Sequence, residues 1–373
     1  MLTAWLLSAL VPCDLVFGWA PIGRDTRPLS AHIDESSVAF FGVWQSESDA
    51  GDEPSSDETS PFFAGTVTVR RPLKGTPPTS LEITTPHAIA EGQRVLLLGR
   101  GEAGGLRWRA PVPVSEAAED YLWQLPELPI GPRRLRHVLP FLEHADPVIA
   151  EDAFREVSRT PIATLVDEAD TFDLPSLRRW VASPDVSPLR YDLYAVMLGL
   201  AGDANDRDRF GERVFTADVT PPLVLGAATT GYLLLAGESG LVELDERRLT
   251  NDEATFSQRY AVLQALRFLW EHQLSIPRDR LAVSVRPLTE DADLADLAIF
   301  QLQQWRDWSL VETLAGRYSL KAPKVERRAI VRYYLAAAVT ADPERQAVAE
   351  AKLAELEQLD PEMVELARRF FVP

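Results

Sequence analysis

The strongest constraint on this chain is a helix, break and helix unit that cannot be stable by itself. Between Arg133 and Thr160, the side chains Leu135, Val138, Leu139 and Leu142 form one helical apolar face. Asp146 and Pro147 then restart the chain. An Asp oxygen accepts from the first free N–H groups of a helix, and Pro at the first helical position gives up an N–H that has no partner there. In the second helix Ile149, Ala153 and Val157 fall at i, i+4 and i+8 with Ala150 and Phe154 beside them, which leaves Glu151, Asp152 and Arg155 for the other side. A lone hairpin of this kind leaves its apolar side in water, so it demands neighbours built the same way.

Those neighbours follow in order. The segments Ser187 to Gly202, Thr220 to Gly237, Phe256 to His272, Asp291 to Trp308 and Val325 to Val339 each carry a wide apolar side at helical spacing. Taking Ala150, Tyr191, Ala227, Ala261, Ala298 and Ala329 as equivalent points, the intervals are about 31 to 41 residues, the range of helical-hairpin repeats. The Asp146-Pro147 start has echoes at Ser187-Pro188 and Thr220-Pro221. Two further helices, capped at Asp342-Pro343 and Asp360-Pro361, have the polar outer face of a terminal cap. Residues 130–373 therefore read as an all-α repeat domain.

Residues 21–125 read differently. Ser37 to Gln45, Phe62 to Arg71, Ser80 to Thr85, Arg94 to Arg100 and Leu106 to Val112 are short, β-branched or aromatic, and separated by Gly, Pro and Ser, the pattern of a small β-sandwich or barrel. Residues 46–60, between the first two strands, hold six carboxylates and no side chain suited to a core, and are expected to be disordered. The expected fold is a multi-domain α+β chain, a small OB-like or sandwich β domain followed by an all-α solenoid.

The first twenty residues are apolar, with no charged side chain before Asp14, and the run from Leu2 to Pro12 has the length of a signal-peptide core rather than a membrane span. Gly18 and Ala20 occupy the small-residue positions of a cleavage site, so residues 1–20 read as a leader and the mature chain is expected to be exported without an integral membrane span. A net charge of −18 speaks against nucleic acid, whose recognition needs a basic surface to displace counterions from phosphate. The one cysteine, Cys13, rules out an intrachain disulfide framework and a cysteine-based zinc site.

Two resemblances add to this. The run Val67 to Gly75, VTVRRPLKG, followed after a gap by EGQRVLLLGR from Glu91 to Arg100, resembles the small bacterial domains related to netrin and tissue-inhibitor-of-metalloproteinase modules. The residues fit that pattern physically, since Lys74-Gly75 makes a turn and Gly92 permits a positive φ ahead of the next strand. Those domains often begin with a cysteine cluster, which this chain lacks. The helical half, through HADPVIAEDAF from His144, SPLRYDLYAVMLGLAG from Ser187, RYAVLQALRFLW from Arg259, DLADLAIFQLQQW from Asp293 and ERRAIVR from Glu326, resembles HEAT-like solenoids of exported bacterial proteins. That resemblance implies architecture and export.

Motifs that would carry chemistry fail on context. Gly99, Gly101 and Gly104 spell G-x-G-x-x-G after a strand, but a dinucleotide fingerprint must open a helix, and Pro111 and Pro113 follow. A Gly-rich hairpin is expected instead. His137 and His144 sit seven apart with Pro140 between them, poor spacing for metal ligands. The other histidines are His32, His87 and His272. Arg190, Arg259 and Arg328 recur at repeat starts, with Asp185 and Asp252 shortly before the first two, and read as a structural ladder rather than an anion-binding groove. Trp180, Trp270, Trp305, Trp308, Tyr333 and Tyr334 read as core.

The sequence gives no catalytic, cofactor-binding or metal residue to name. It assigns repeat positions instead: Asp146, Pro147, Arg190, Arg259 and Arg328. The expected function is that of a non-catalytic exported scaffold that binds a protein or envelope partner through the helical array. The alternatives are a protease-inhibitor-like β domain and an enzyme using a groove of the solenoid.

Overall fold

The computed structural model describes residues 27–46, 63–102, 105–216, 222–251 and 253–371. The leader stretch with Cys13, nearly all of the acidic insert, Gly104, the Thr220-Pro221 cap and Asp252 lie outside the described residues. The chain forms two compact units, Met1–Thr171 and Phe172–Pro373. An antiparallel β domain comes first and an α-rich region follows.

In the first unit the strands are β1 (Val38–Ser46), β2 (Phe63–Lys74), β3 (Ser80–Thr85), β4 (Arg94–Glu102), β5 (Gly105–Trp108) and β6 (Val112–Pro113). They pair in the order β3-β2-β1-β4-β5, with β6 on β4, and every pairing is antiparallel. Phe40, Trp44, Val67, Val95 and Leu97 pack together on one face. Side chains alternate along a strand, so Ala39, Phe41, Leu96 and Leu98 point to the other face, and they are buried too. The two middle strands therefore have no solvent side. Register shifts in β1 after Ala39 and Phe41 mark bulges, which raise local twist, and the sheet is curled.

Gly75 (φ 63°) and Gly92 (φ 76°) take the left-handed turns for which the sequence supplies glycine. Gly99 and Gly101 lie within β4, opposite Trp108 and Leu106, and the next element is a strand. A Cβ on Gly99 would come within 2.8 Å of the Trp108 ring, so this glycine makes room for an aromatic side chain.

The helices of this unit are α1 (Leu29–Glu35), α2 (Glu116–Gln124), α3 (Pro132–Val138), α4 (Pro147–Ser158) and α5 (Ile162–Asp167). Ion pairs hold α2 to the sheet: Arg94 Nη1 lies 3.1 Å from Glu119 and Arg71 Nη1 lies 2.9 Å from Asp120. Asp146 caps α4, accepting from the N–H groups of Val148 (2.8 Å) and Ile149 (3.4 Å). Its other oxygen accepts from the hydroxyl of Ser115, itself the cap of α2, so two helix starts meet at one carboxylate.

The second unit runs through α6 (Leu174–Ala182), α7 (Pro188–Ala201), α8 (Ala204–Phe215), α9 (Pro222–Leu244), α10 (Phe256–His272), α11 (Arg278–Val285), α12 (Ala295–Gln304), α13 (Lys324–Thr340), α14 (Pro343–Leu359) and α15 (Pro361–Arg369). Ser187, Asp342 and Asp360 cap α7, α14 and α15 through their side chains. Packing is largely between neighbours in sequence: α6 on α7, α7 and α8 on α9, α9 on α10, α12 on α13, and α13 on α14 and α15. The approach of α7 to α9 is close because Gly199 and Gly231 face the partner helix. A Cβ on Gly199 would stand 3.0 Å from the Gly231 Cα. No described helix is long and apolar enough to cross a membrane.

Asp146→Ala removes the acceptor for two N–H groups and for Ser115. The expected loss is about 1 kcal/mol in urea unfolding, with Asp146→Asn losing less.

Candidate functional site

A cleft of about 620 Å3 opens between α6, α7 and α8. Arg178 and Val181 come from α6, Tyr191 and Leu198 from α7, and Asp206, Phe210 and Arg213 from α8. The start of α8 organises one end. Asp203 caps it by accepting from Asn205 N–H at 2.8 Å, and Asp206 closes the capping box by accepting from Asp203 N–H at 3.1 Å. The Arg178 guanidinium then clamps Asp206 from α6, with Nε 2.9 Å from Oδ1 and Nη2 2.8 Å from Oδ2, and Nη2 also reaches Asp203 at 2.9 Å. Asp206 is 1 % exposed. Burial would raise its carboxyl, but the Arg178 bonds, the Asp203 N–H and the charges of Arg178 and Arg209 outweigh that and hold it below the usual carboxylate range.

The rest of the cleft is less settled. Arg209 reaches Asp206 only at 3.9 Å and has a 68 % exposed side chain. Arg213 has no carboxylate partner among the described residues. It donates one N–H to the Val181 carbonyl at 3.3 Å and lies 5.3 Å from the centre of the Tyr191 ring. Tyr191 is 3 % exposed, and its hydroxyl, which faces the Arg213 side chain, finds no acceptor among the described residues. Burial pushes that phenol above its usual range despite the nearby Arg213 charge, so it stays protonated and is a donor at neutral pH. A cation without a carboxylate and a buried donor without an acceptor thus share one cleft with apolar walls.

A second polar cluster lies inside the first unit. Asp152 on α4 is 2 % exposed and accepts from Ser30 N–H at 3.1 Å and from the Tyr121 hydroxyl at 3.0 Å. The Ser30 hydroxyl donates to Glu156, and Arg134 bridges Glu156 at 3.2 Å and Asp34 at 2.7 Å. These groups lock α1 against α2, α3 and α4. The sequence reading set Asp152 on the solvent side of its helix, whereas the structure buries it beneath α1, an element more than a hundred residues upstream in the chain. Its position was open to a closer reading, since Ile149, Asp152, Ala153 and Glu156 fall at i, i+3, i+4 and i+7 on one face.

The residues singled out from sequence scatter. Asp146 and Pro147 start α4. Arg190 donates to the Tyr194 hydroxyl at 3.3 Å. Arg259 pairs with Asp291 at 2.8 Å. Arg328 is exposed, and it is the adjacent Arg327 that bonds Asp360. Phe141 lies tilted against both His137 and His144, with ring centres 5.8 and 5.9 Å away, and His144 Nδ1 accepts from Asp146 N–H. Burial and the charge of Arg134 lower His137. His32 contacts Arg109 at 2.6 Å, His272 packs edge-on to Phe268, and His87 is exposed. Among the described residues no three His, Cys, Asp or Glu side chains gather as a metal site requires. Trp305, Trp308, Tyr333 and Tyr334 are buried, and both tyrosine hydroxyls donate to backbone carbonyls, of Asp307 and Val311. The cleft residues were missed in the sequence, where nothing marks which of many arginines lacks a partner.

Comparison with known protein families, with curated proteins and with solved structures returned no match.

Burial pushes Asp152 up to about 6, against the Ser30 and Tyr121 donors and with the Glu156 charge adding to it. A raised carboxyl binds its proton more tightly in the folded state, so its contribution to stability is complete below about pH 4 and is lost as pH rises through about 6. Relative to Asp152→Asn, which does not titrate, the wild type is expected to gain on the order of 3 kcal/mol between pH 7 and pH 4. Urea unfolding at the two pH values measures it, and parallel curves would refute the assignment.

Proposed function

We propose that this is a non-catalytic, exported interaction protein, in which a HEAT-like helical array presents a binding surface to a protein partner of the cell envelope and an OB-like β domain precedes it. The cleft between α6, α7 and α8 carries the reading. It is open, about 620 Å3 in volume, and holds Arg213 without a carboxylate and the Tyr191 hydroxyl without an acceptor among the described residues. Buried polar groups are normally satisfied, so such groups at the wall of an open cleft are suited to a ligand that completes them. Helices packed on their sequence neighbours support the array reading, since each hairpin then buries its apolar stripe against the next. Export rests on the apolar run of residues 1–20, and the intact mass of the protein isolated from its native host tests it.

The test of the cleft uses the full chain, immobilised and exposed to envelope extract. A defined protein is expected to be retained. Arg209→Glu reverses an exposed charge at the cleft and leaves the core alone, and it should reduce that retention about fivefold or more. Nothing retained, or equal retention by the variant, would overturn this reading of the cleft.

A further inference from the structure

We propose that the cleft recognises a carboxylate carried on an apolar body, namely the free C-terminus of a partner chain that ends in an aliphatic residue, through Arg213 and the Tyr191 hydroxyl. The inference rests on the cleft being a partner site and names the group it takes. Charge balance selects the ligand. Arg178 is already committed to Asp206 and Asp203, and Glu212, Asp203 and Asp208 flank the opening. That leaves one cation in the half-buried part of the cleft, enough for a monoanion and too little for a phosphate dianion among carboxylates.

Shape selects it further. A guanidinium offers two parallel N–H donors that match the two oxygens of a carboxylate, and Arg213 spends one N–H on the Val181 carbonyl, which fixes the plane of the group. The Tyr191 ring lies under that guanidinium, and its hydroxyl is shut from water and without an acceptor among the described residues. A carboxylate that draws Arg213 toward the opening uncovers this donor and accepts from it. Val181, Leu198 and Phe210 supply the apolar wall for the side chain next to the carboxylate. The unmade bond of Tyr191 is a cost in the free protein that binding removes, and an amide or an alcohol in place of the carboxylate could not balance the Arg213 charge.

The probes are acetyl-Ala-Ala-Leu with a free carboxylate, the same tripeptide as its amide, 4-methylpentanoate and inorganic phosphate, each titrated into the full chain by calorimetry. The tripeptide acid is expected to bind at least about tenfold tighter than the amide, than 4-methylpentanoate and than phosphate. Arg213→Gln should weaken it about tenfold or more, and Tyr191→Phe about fivefold. Tyr191→Phe removes a buried hydroxyl that has no acceptor in the free protein, so its thermal melt should lie at or above that of the wild type, which keeps the test independent of folding. Arg207→Gln, whose guanidinium pairs with Asp208, should leave binding unchanged. Equal binding of acid and amide, no binding of the acid, tighter binding of phosphate, or wild-type affinity in a folded Tyr191→Phe would each overturn the proposal. Binding of 4-methylpentanoate as tight as the tripeptide would replace the peptide terminus with a small organic acid. If Arg213→Gln still retained the envelope partner while the tripeptide acid failed to bind, recognition of a terminus would be refuted and the partner site would stand.

Discussion

A helix start or a tight turn leaves N–H groups without partners, and in the second unit the aspartates that satisfy them also tie separate helices together. Asp291 accepts with one oxygen from the N–H groups of Asp293 and Leu294, and its other oxygen forms an ion pair with Arg259. Asp307 does the same with Ser309 N–H and Arg286, and Asp360 with Met363 N–H and Arg327. Asp206 joins the start of α8 to Arg178 of α6. A carboxylate has enough lone pairs for both duties, and an arginine fork reaches it from a neighbouring helix with directional bonds that an ammonium group cannot match. Caps and ties thus share the same carboxylates, so local turns and helix packing are fixed together.

That economy makes the exceptions informative. Arg213 rests on a carbonyl and an aromatic ring, as Arg278 does on Trp270, but Arg213 lines a cleft. Asp152 is the converse in the first unit, a carboxylate buried mainly among neutral donors and pushed up to about 6 as a result. The two departures differ in kind. Asp152 is sealed and its partners are all internal, which makes it a structural lock on α1. Arg213 borders a cleft, which makes it available to a ligand.

Much of the fold was legible because its signals are local. Alternating β-branched and aromatic runs between turn residues located the strands from β1 to β5, and Gly75 and Gly92 stand where a positive φ is needed. Asp-Pro and Ser-Pro pairs marked the starts of α4, α7, α14 and α15, because a cap and a following proline act within four residues. The G-x-G-x-x-G string resolved on its context alone, since the prolines after it forbid the helix that a phosphate site requires. The arginine ladder was legible only as a residue type: Arg259 makes its tie, while at the last repeat Arg327 does so and the adjacent Arg328 faces solvent.

By itself the sequence determined the alternation of strand and helix, the positions of helix starts and the acidic character of the surface, all of which follow from interactions within a turn or two of chain. Only the tertiary structure decided which charges are paired. Whether Asp152 faces water depends on α1 folding back over α4, and whether Arg213 finds a carboxylate depends on how α6, α7 and α8 meet. Both are set by packing between segments distant in sequence, where a shift of one residue along a helix turns a side chain by about 100° and moves it from core to solvent.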